Sequence, residues 1–390
     1  MNNLTTFEHA FLTANDFDNP SDFDWLIEQN FDGFFIERKN HQWQLKIRHY
    51  VGVISLPSGK QLEILPKISQ HTDILQTRQW LQQMLMDSWQ ALTPKTLNNL
   101  AQQYTINPHL PLNQWLAEQF WQCFQTYQCN QNYQRIEQNQ PFLQGKLLVK
   151  QQLQYNYHQP HKFFHQTENF ALDTASNRLV KTTLQHVIGG NNHALPPSWR
   201  SVVTLTPSQY PASLAQAQQE LQALPTLIAQ QNFKFLQFCY AILSSQQASG
   251  QGQAHAQSLL INMQFAFEQW VTVKLKQQLK QSHGQIFPQY TQALTADKHL
   301  NIKPDILITS PTNVIVADIK WKNINHSKDI QLADMYQLMT YASECGAQQA
   351  WLIVPSISNL SSQEIKLAKP HRTQFSLVFF NVTAPNLTDC

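Results

Sequence analysis

Asp305, Asp318 and Lys320 are the residues whose types and spacing best suit them to do chemistry together. Asp305 ends Lys303-Pro304-Asp305, and twelve residues separate it from Asp318-Ile319-Lys320. Between them, apolar runs at 306–308 and 314–316 flank Ser310-Pro311-Thr312-Asn313. Pro and Asn between β-branched runs predict a hairpin turn. With 310–313 as the turn, Thr309 pairs with Val314, and continuing the register sets Asp305 opposite Asp318. Cross-strand neighbours have Cβ atoms about 5 Å apart. Lys320 follows Asp318 by two residues and projects from the same face. Two carboxylates so close repel, and one takes up a proton unless a cation sits between them. One or two carboxylates, completed by waters and phosphate, are what Mg²⁺ accepts, with Mn²⁺ as its substitute. A lysine beside them can orient a water or offset developing charge. This is equipment for metal-assisted phosphodiester hydrolysis. Lys322 follows on the Lys320 face by alternation and is a candidate phosphate contact.

The elements around this hairpin must position it. Residues 329–344 predict a helix on which Gln337 and Tyr341, spaced i, i+4, share a face. Upstream, 258–281 is apolar at helical spacing (Met263, Phe267, Trp270, Val271, Leu275), and Glu268 interrupts that side. The expected order is helix 258–281, a strand near 286–290, hairpin strands 300–309 and 314–322, helix 329–344, then strands at 350–354 and 375–382. That is an α/β core with a central mixed sheet.

The rest of the chain bounds the reading. With 390 residues, two or three domains are expected. Net charge is +2 and charged residues are only 13%, so bulk charge gives no argument for nucleic-acid binding, and any DNA contact must come from local basic patches. Cys123, Cys129, Cys239, Cys345 and Cys390 form no CxxC pair, which suggests neither a zinc site nor a disulfide frame. No run of eighteen apolar residues and no leader segment is apparent, so a soluble, cytoplasmic protein without a membrane partner is expected. His161 and His165 are spaced i, i+4 without metalloprotease context and are read as structural.

Residues 1–75 alternate apolar and polar with Gly/Pro punctuation, predicting a small antiparallel β module. Residues 76–250 form a mainly helical middle domain, with helices expected at 73–90, 111–130, 144–158, 174–189, 212–230 and 232–245. Ser244 to Gln257 is a polar, Gly/Ser/Gln-rich linker into a C-terminal domain at 251–390. The fold class expected is therefore multidomain α+β.

Asp305, Asp318 and Lys320 resemble the PD-(D/E)xK nuclease motif, and Gln337 with Tyr341 resembles the Gln-x-x-x-Tyr element that follows it in several of those families. The resemblance implies that Gln337 and Tyr341 lie against the metal site and contact the DNA backbone. It also implies that Glu268, on the first helix of the core, joins Asp305 and Asp318 as a metal ligand. The chain as a whole is similar to the McrC family, the endonuclease subunits of McrBC-type modification-dependent restriction systems. Three segments carry this. They are Tyr50-Val51-Gly52-Val53-Ile54 through Glu63-Ile64-Leu65-Pro66-Lys67, then Gly145-Lys146-Leu147 through Asn177-Arg178-Leu179-Val180-Lys181, and the acidic motif itself. The resemblance implies a partner, an AAA+ GTPase (McrB-type) ring, and a substrate, double-stranded DNA carrying modified cytosine of the 5-methylcytosine type. It further implies that the N-terminal β region docks on the ring and stimulates GTP hydrolysis. There, Arg38, Lys39, Lys46, Arg48, Lys60 and Lys67 make the chain locally basic. The chain has no GxxxxGK[ST] loop and is expected to bind no nucleotide itself. Arg178 is read as structural, with Asp173 or Thr174 capping the helix that follows. Two other functions fit less of the chain. One is a non-catalytic activator of the GTPase, and the other is a stand-alone Gln-x-x-x-Tyr nuclease.

Overall fold

The computed structural model describes residues 4–29, 31, 33–69, 73–91, 105–125, 127, 129, 131–188, 200, 232–233, 235–240, 242–243, 259–279, 284–295, 297, 299–311 and 313–387. The expected helix at 212–230 and the linker at 244–257 lie outside them. The N-terminal part holds β1 (Leu4–Phe7), β2 (Phe11–Leu12), α1 (Pro20–Glu28), β3 (Phe34–Lys39), β4 (Gln42–Ile47), β5 (Tyr50–Ser55) and β6 (Gln61–Leu65). Then come α2 (Ile74–Ala91), α3 (Leu112–Phe124), β7 (Asn132–Gln140), β8 (Lys146–Leu147), α4 (Val149–Asn156), β9 (Phe163–Ala171) and α5 (Ala175–Ile188). The C-terminal part runs β10 (Leu259–Asn262), α6 (Met263–Gln278), β11 (Gln285–Pro288), β12 (Gln292–Ala293), β13 (Asn301–Ile302), β14 (Ile306–Thr309) and β15 (Val314–Ile319). It closes with α7 (Leu332–Glu344), β16 (Gln349–Ser356), β17 (Gln363–Glu364), β18 (Gln374–Asn381) and β19 (Asn386–Leu387). Among the described residues, no helix is long and apolar enough to cross a membrane.

The chain divides into two compact units. The first is Met1–Pro94, Gln103–Leu116 and Ser244–Cys390; the second is Lys95–Gln102 and Ala117–Leu243. Both the N-terminal strands and the C-terminal sheet thus fall in the first unit.

The C-terminal sheet is mixed, in the order β11-β14-β15-β16-β18-β17, with β19 beside β18. β15, β16 and β18 run parallel, and the other pairs are antiparallel. Helices cover both faces. Leu338, Tyr341 and Ala342 of α7 pack in one core with Leu352, Val354, Leu377 and Phe379. The next residue, Phe380, points the other way and meets Phe267 and Trp270 of α6, with ring centroids 5.6 and 5.0 Å apart. The strand at 300–309 is shorter than expected. Pro304 interrupts it, and Asn301–Ile302 pairs instead with β12.

The N-terminal module differs from a purely antiparallel one. β1 lies parallel to β6, and β10 completes the sheet from far along the chain, so the order is β1-β6-β5-β10. The helix expected from 258 therefore starts at Met263. Leu259, Leu260 and Ile261 favour a strand, and the Asn262 side chain then accepts the Phe265 N–H as N-cap, at 3.1 Å. A second sheet, β2-β4-β3, holds the first hairpin.

In the second unit, the mainly helical expectation is only partly met. β7 and β9 pair antiparallel over nine residues each, with β8 alongside. Their sequences are polar, and what joins them are cross-strand pairs such as Arg135–Glu168 and Tyr133–Phe170, not an apolar face. Gly145 sits at φ 74°, where a Cβ has no room against the Gln166 carbonyl. His165 is in β9 rather than on a helix with His161. Thr174 caps α5 by accepting the Asn177 N–H at 3.2 Å, and Arg178 pairs with Asp173, as the structural reading of Arg178 expects.

Candidate active site

The hairpin register places the acidic residues. Thr309 pairs with Val314 and Ile306 with Ala317, so Asp305 and Asp318 face each other one step further on. Asp305 stands just before β14, where its Oδ2 accepts the Ile319 backbone N–H at 2.7 Å. Asp318 is 1% exposed, and its Oδ2 has the Lys320 ammonium 3.0 Å away but no aligned hydrogen bond. The Lys320 ammonium donates to Gln337 Oε1 at 3.0 Å, and Gln337 Nε2 donates to the Tyr341 hydroxyl at 2.7 Å. Asp318, Lys320, Gln337 and Tyr341 thus form one chain of polar contacts from β15 to α7.

The charges are strained in the way close carboxylates must be. Burial, then the Glu268 charge, pushes Asp305 up to about 6. Burial pushes Asp318 to about 6 as well, Lys320 opposing and Asp305 adding to the rise. Glu268 on α6 is also raised, first by burial, with Asp318 adding to it, and its carboxylate accepts from the Gln289 amide. For Lys320, burial works against the ammonium, but Asp318 and Asp305 outweigh it, and its pKa ends above the usual value. Asp305 and Asp318, whose negative charge is under-compensated, suit a hard dication such as Mg²⁺, and Glu268 adds its charge to theirs.

Two expected residues have partners of their own. Lys322 donates to both oxygens of Asp334 (2.6 and 2.9 Å) and to Gln331 (2.8 Å), tying the strand exit to the first turn of α7. β15 ends at Ile319, so strand alternation no longer governs Lys322. Tyr341 is buried, and its hydroxyl is held above its usual pKa first by burial.

Sequence reasoning missed Gln264. From α6 its Nε2 donates to the Ile319 carbonyl at 2.7 Å, and its Oε1 accepts the Trp321 N–H at 2.8 Å. It brackets Lys320 on both sides. Its spacing from Asp318 carries no signal, and glutamine is too common in this chain to stand out. Trp321 was missed similarly. Its indole N–H donates to buried Glu8 at 2.8 Å, and its carbonyl accepts from Lys67 at 2.8 Å. Of the other basic N-terminal residues, Lys46 and Arg48 lie over Phe11 and Phe35 at 4.2 and 3.9 Å, Arg38 over Trp43 at 5.7 Å, and Lys60 pairs with Asp18.

An α/β sheet with an acidic-and-lysine cluster at the end of a hairpin is the class this fold and site define. The family described as McrBC 5-methylcytosine restriction system component matches residues 45–355, most of the chain, and the protein belongs to that family. No curated protein matches it. Among solved structures, a chain of the refined half-complex from a tetradecameric assembly of Thermococcus gammatolerans McrB AAA+ hexamers with bound McrC is similar, with TM-score 0.55 and 16% identity. That match covers 99% of this chain and 96% of the other, and at this identity it shows the fold alone. A chain of the cryo-EM structure of the Thermococcus gammatolerans McrBC complex matches at TM-score 0.36 and 14% identity, over 71% of this chain and 88% of that one.

Proposed function

We propose that this chain is the McrC-type nuclease subunit of a modification-dependent restriction complex, cutting double-stranded DNA with modified cytosine when bound to an McrB-type AAA+ GTPase ring. The observation that carries the catalytic part is the convergence of Asp305, Asp318 and Lys320, with Gln337 and Tyr341 behind them. The full-length fold match to a chain from an McrB–McrC assembly supports the partner.

In this reading Asp305, Asp318 and Glu268 would hold Mg²⁺, or Mn²⁺ in its place. Bound there, the ion supplies charge neutralisation at the scissile phosphate and polarisation for attack. Lys320 orients the attacking water and offsets charge developing on the phosphate oxygens. Gln337 fixes the ammonium by accepting a hydrogen bond from it, and Tyr341 fixes Gln337 by accepting one from its amide. Lys322 supports the site through α7, its charge directed at Asp334. The chain binds no nucleotide of its own, and the energy of GTP hydrolysis enters through the ring.

The test is cleavage of methylated and unmethylated plasmid with Mg²⁺, with and without the GTPase and GTP, and with Asp318→Asn. Cutting that needs methylation, partner, GTP and Asp318 is expected. Cutting by the chain alone would replace this reading with a stand-alone nuclease. Stimulated GTP turnover without any Asp318-dependent cutting would replace it with a non-catalytic activator.

A further inference from the structure

We propose that Glu8, His9 and His49 form a binding site for a transition-metal ion of the Zn²⁺ class, separate from the Asp305–Asp318 cluster. One donor atom from each of the three lies within 4.8 Å of the others. They come from two backbone positions: Glu8 and His9 form the turn directly after β1, and His49 is the bend between β4 and β5. The His9 N–H donates to the Ile47 carbonyl at 2.8 Å, which holds the two turns together. The His9 and His49 rings meet edge-on with centroids 5.9 Å apart.

The donors are the right kind. Glu8 is fully buried, and its Oε1 accepts the His49 N–H at 3.0 Å, which leaves lone-pair capacity on that oxygen. The other oxygen accepts from Trp321 and Lys67 and fixes the carboxylate in place. His9 Nε2 is buried, has no hydrogen-bond partner, and lies 3.7 Å from Glu8 Oε1. Both histidines sit at positive φ, 69° and 66°, a conformation that non-glycine residues rarely adopt and that clusters at functional sites.

The chemistry selects the ion. Two imidazoles and a carboxylate suit Zn²⁺, Co²⁺ or a similar first-row ion, not Mg²⁺. Lys67, Lys46 and Arg48 nearby oppose any cation that gains nothing from nitrogen. At Zn–ligand distances of roughly 2.0–2.2 Å, tetrahedral donors stand roughly 3.4 Å apart. Rotation of the exposed His49 side chain supplies the remaining closure.

The test uses full-length Asp318→Asn protein, which lacks an intact acidic cluster, so the result does not depend on the nuclease reading. It is titrated with Co²⁺ and then Zn²⁺, alongside the same protein carrying His49→Gly. One Co²⁺ per chain with the strong visible bands of nitrogen-ligated, low-coordinate cobalt is expected, displaced by Zn²⁺, with Zn²⁺ raising Tm. His49→Gly is expected to lower affinity at least tenfold and remove the bands, while its metal-free Tm stays level or rises, because glycine suits φ 66°. His9→Asn, which tolerates the same backbone, is expected to act like His49→Gly. Bands that persist in both variants, or no nitrogen-ligated cobalt at all, would overturn the proposal.

Discussion

Asp305 and Asp318 are each held near pKa 6 from an ordinary 3.8, chiefly by burial, and this sets a stability that runs against the usual direction for acids. The folded protein binds protons here that the unfolded chain has already released. Between about pH 4 and 6, then, the unfolded state carries fewer protons than the folded one, and this pair's contribution to stability falls as pH rises. At neutral pH the ionised pair is a cost to the metal-free fold, and a dication removes it. Asp318→Asn is accordingly expected to abolish DNA cutting, by at least about 10³-fold, while raising the metal-free Tm at pH 7.5 by about 2–4 °C. Wild-type Mg²⁺ affinity is expected to climb from pH 5 to 7 and then level off. Scanning calorimetry and Mg²⁺ titration across that range check both, and a metal-free Tm that drops in Asp318→Asn would show that the Lys320 pair outweighs burial. This trio was legible in the sequence because a hairpin register is local, so twelve intervening residues suffice to set the two acids opposite each other. Glu268 acts on Asp305 by its charge from a different element, and only the family resemblance pointed to it. Gln264 and Gln289 gave no signal, since what distinguishes them is where α6 and the residue just past β11 stand.

At the scale of elements, the end of β15 decides where Lys320 points, and α6 decides the end of β15. Lys320 lies just past the last paired residue, and there Gln264 substitutes for a neighbouring strand by bonding the Ile319 carbonyl and the Trp321 N–H. Both flanking residues are buried, so removing the amide leaves a donor and an acceptor without their partner. Gln264→Ala is expected to lose roughly 1–3 kcal/mol of stability, and to slow cutting more than it weakens Mg²⁺ binding, because Lys320 is displaced while Asp305 and Asp318 stay on the sheet. Urea unfolding read beside cleavage kinetics tests this; wild-type values in both would show that the strand end needs no such clamp. The elements that sequence patterns found were mostly those with apolar periodicity: the helices α2 to α7, the N-terminal strands β3 to β6, and β11, β14, β15, β16 and β18 of the C-terminal sheet. β7 and β9 escaped because their pairing is carried by polar and aromatic cross-strand partners, which alternate without an apolar face. β10 escaped because its apolar residues run straight into those of α6, and only the Asn262 cap separates them.

Across the whole first unit, the N-terminal strands and the acidic cluster are built into each other. β10 belongs to the C-terminal stretch by sequence but is an edge of the N-terminal sheet, with Leu260 opposite Gly52 and Ile261 opposite Val51. Trp321, one residue from Lys320, has its indole on Glu8 and its carbonyl on Lys67. Burial pushes the Lys67 ammonium below its usual pKa, with Glu8 opposing, so this contact is made inside the protein and not at its rim. A fragment of 251–390 would therefore expose the Trp321 ring, leave β10 without a partner and strip Lys67 from the strand that carries Lys320. Each buried polar group left bare costs about 1–3 kcal/mol, a large share of the net stability of about 5–15 kcal/mol typical of a domain. The fragment is expected to lack a cooperative unfolding transition, whereas the full chain shows one in which the N-terminal strands and the C-terminal sheet unfold together. Near-UV circular dichroism at the tryptophans, followed through a urea series for both proteins, makes the comparison. A fragment that unfolds sharply and cuts DNA would mean that residues 1–75 serve only to meet a partner. A fragment that does not fold would mean that any partner gripping the N-terminal strands also grips, through Glu8, Lys67 and Trp321, the strand end on which Lys320 stands.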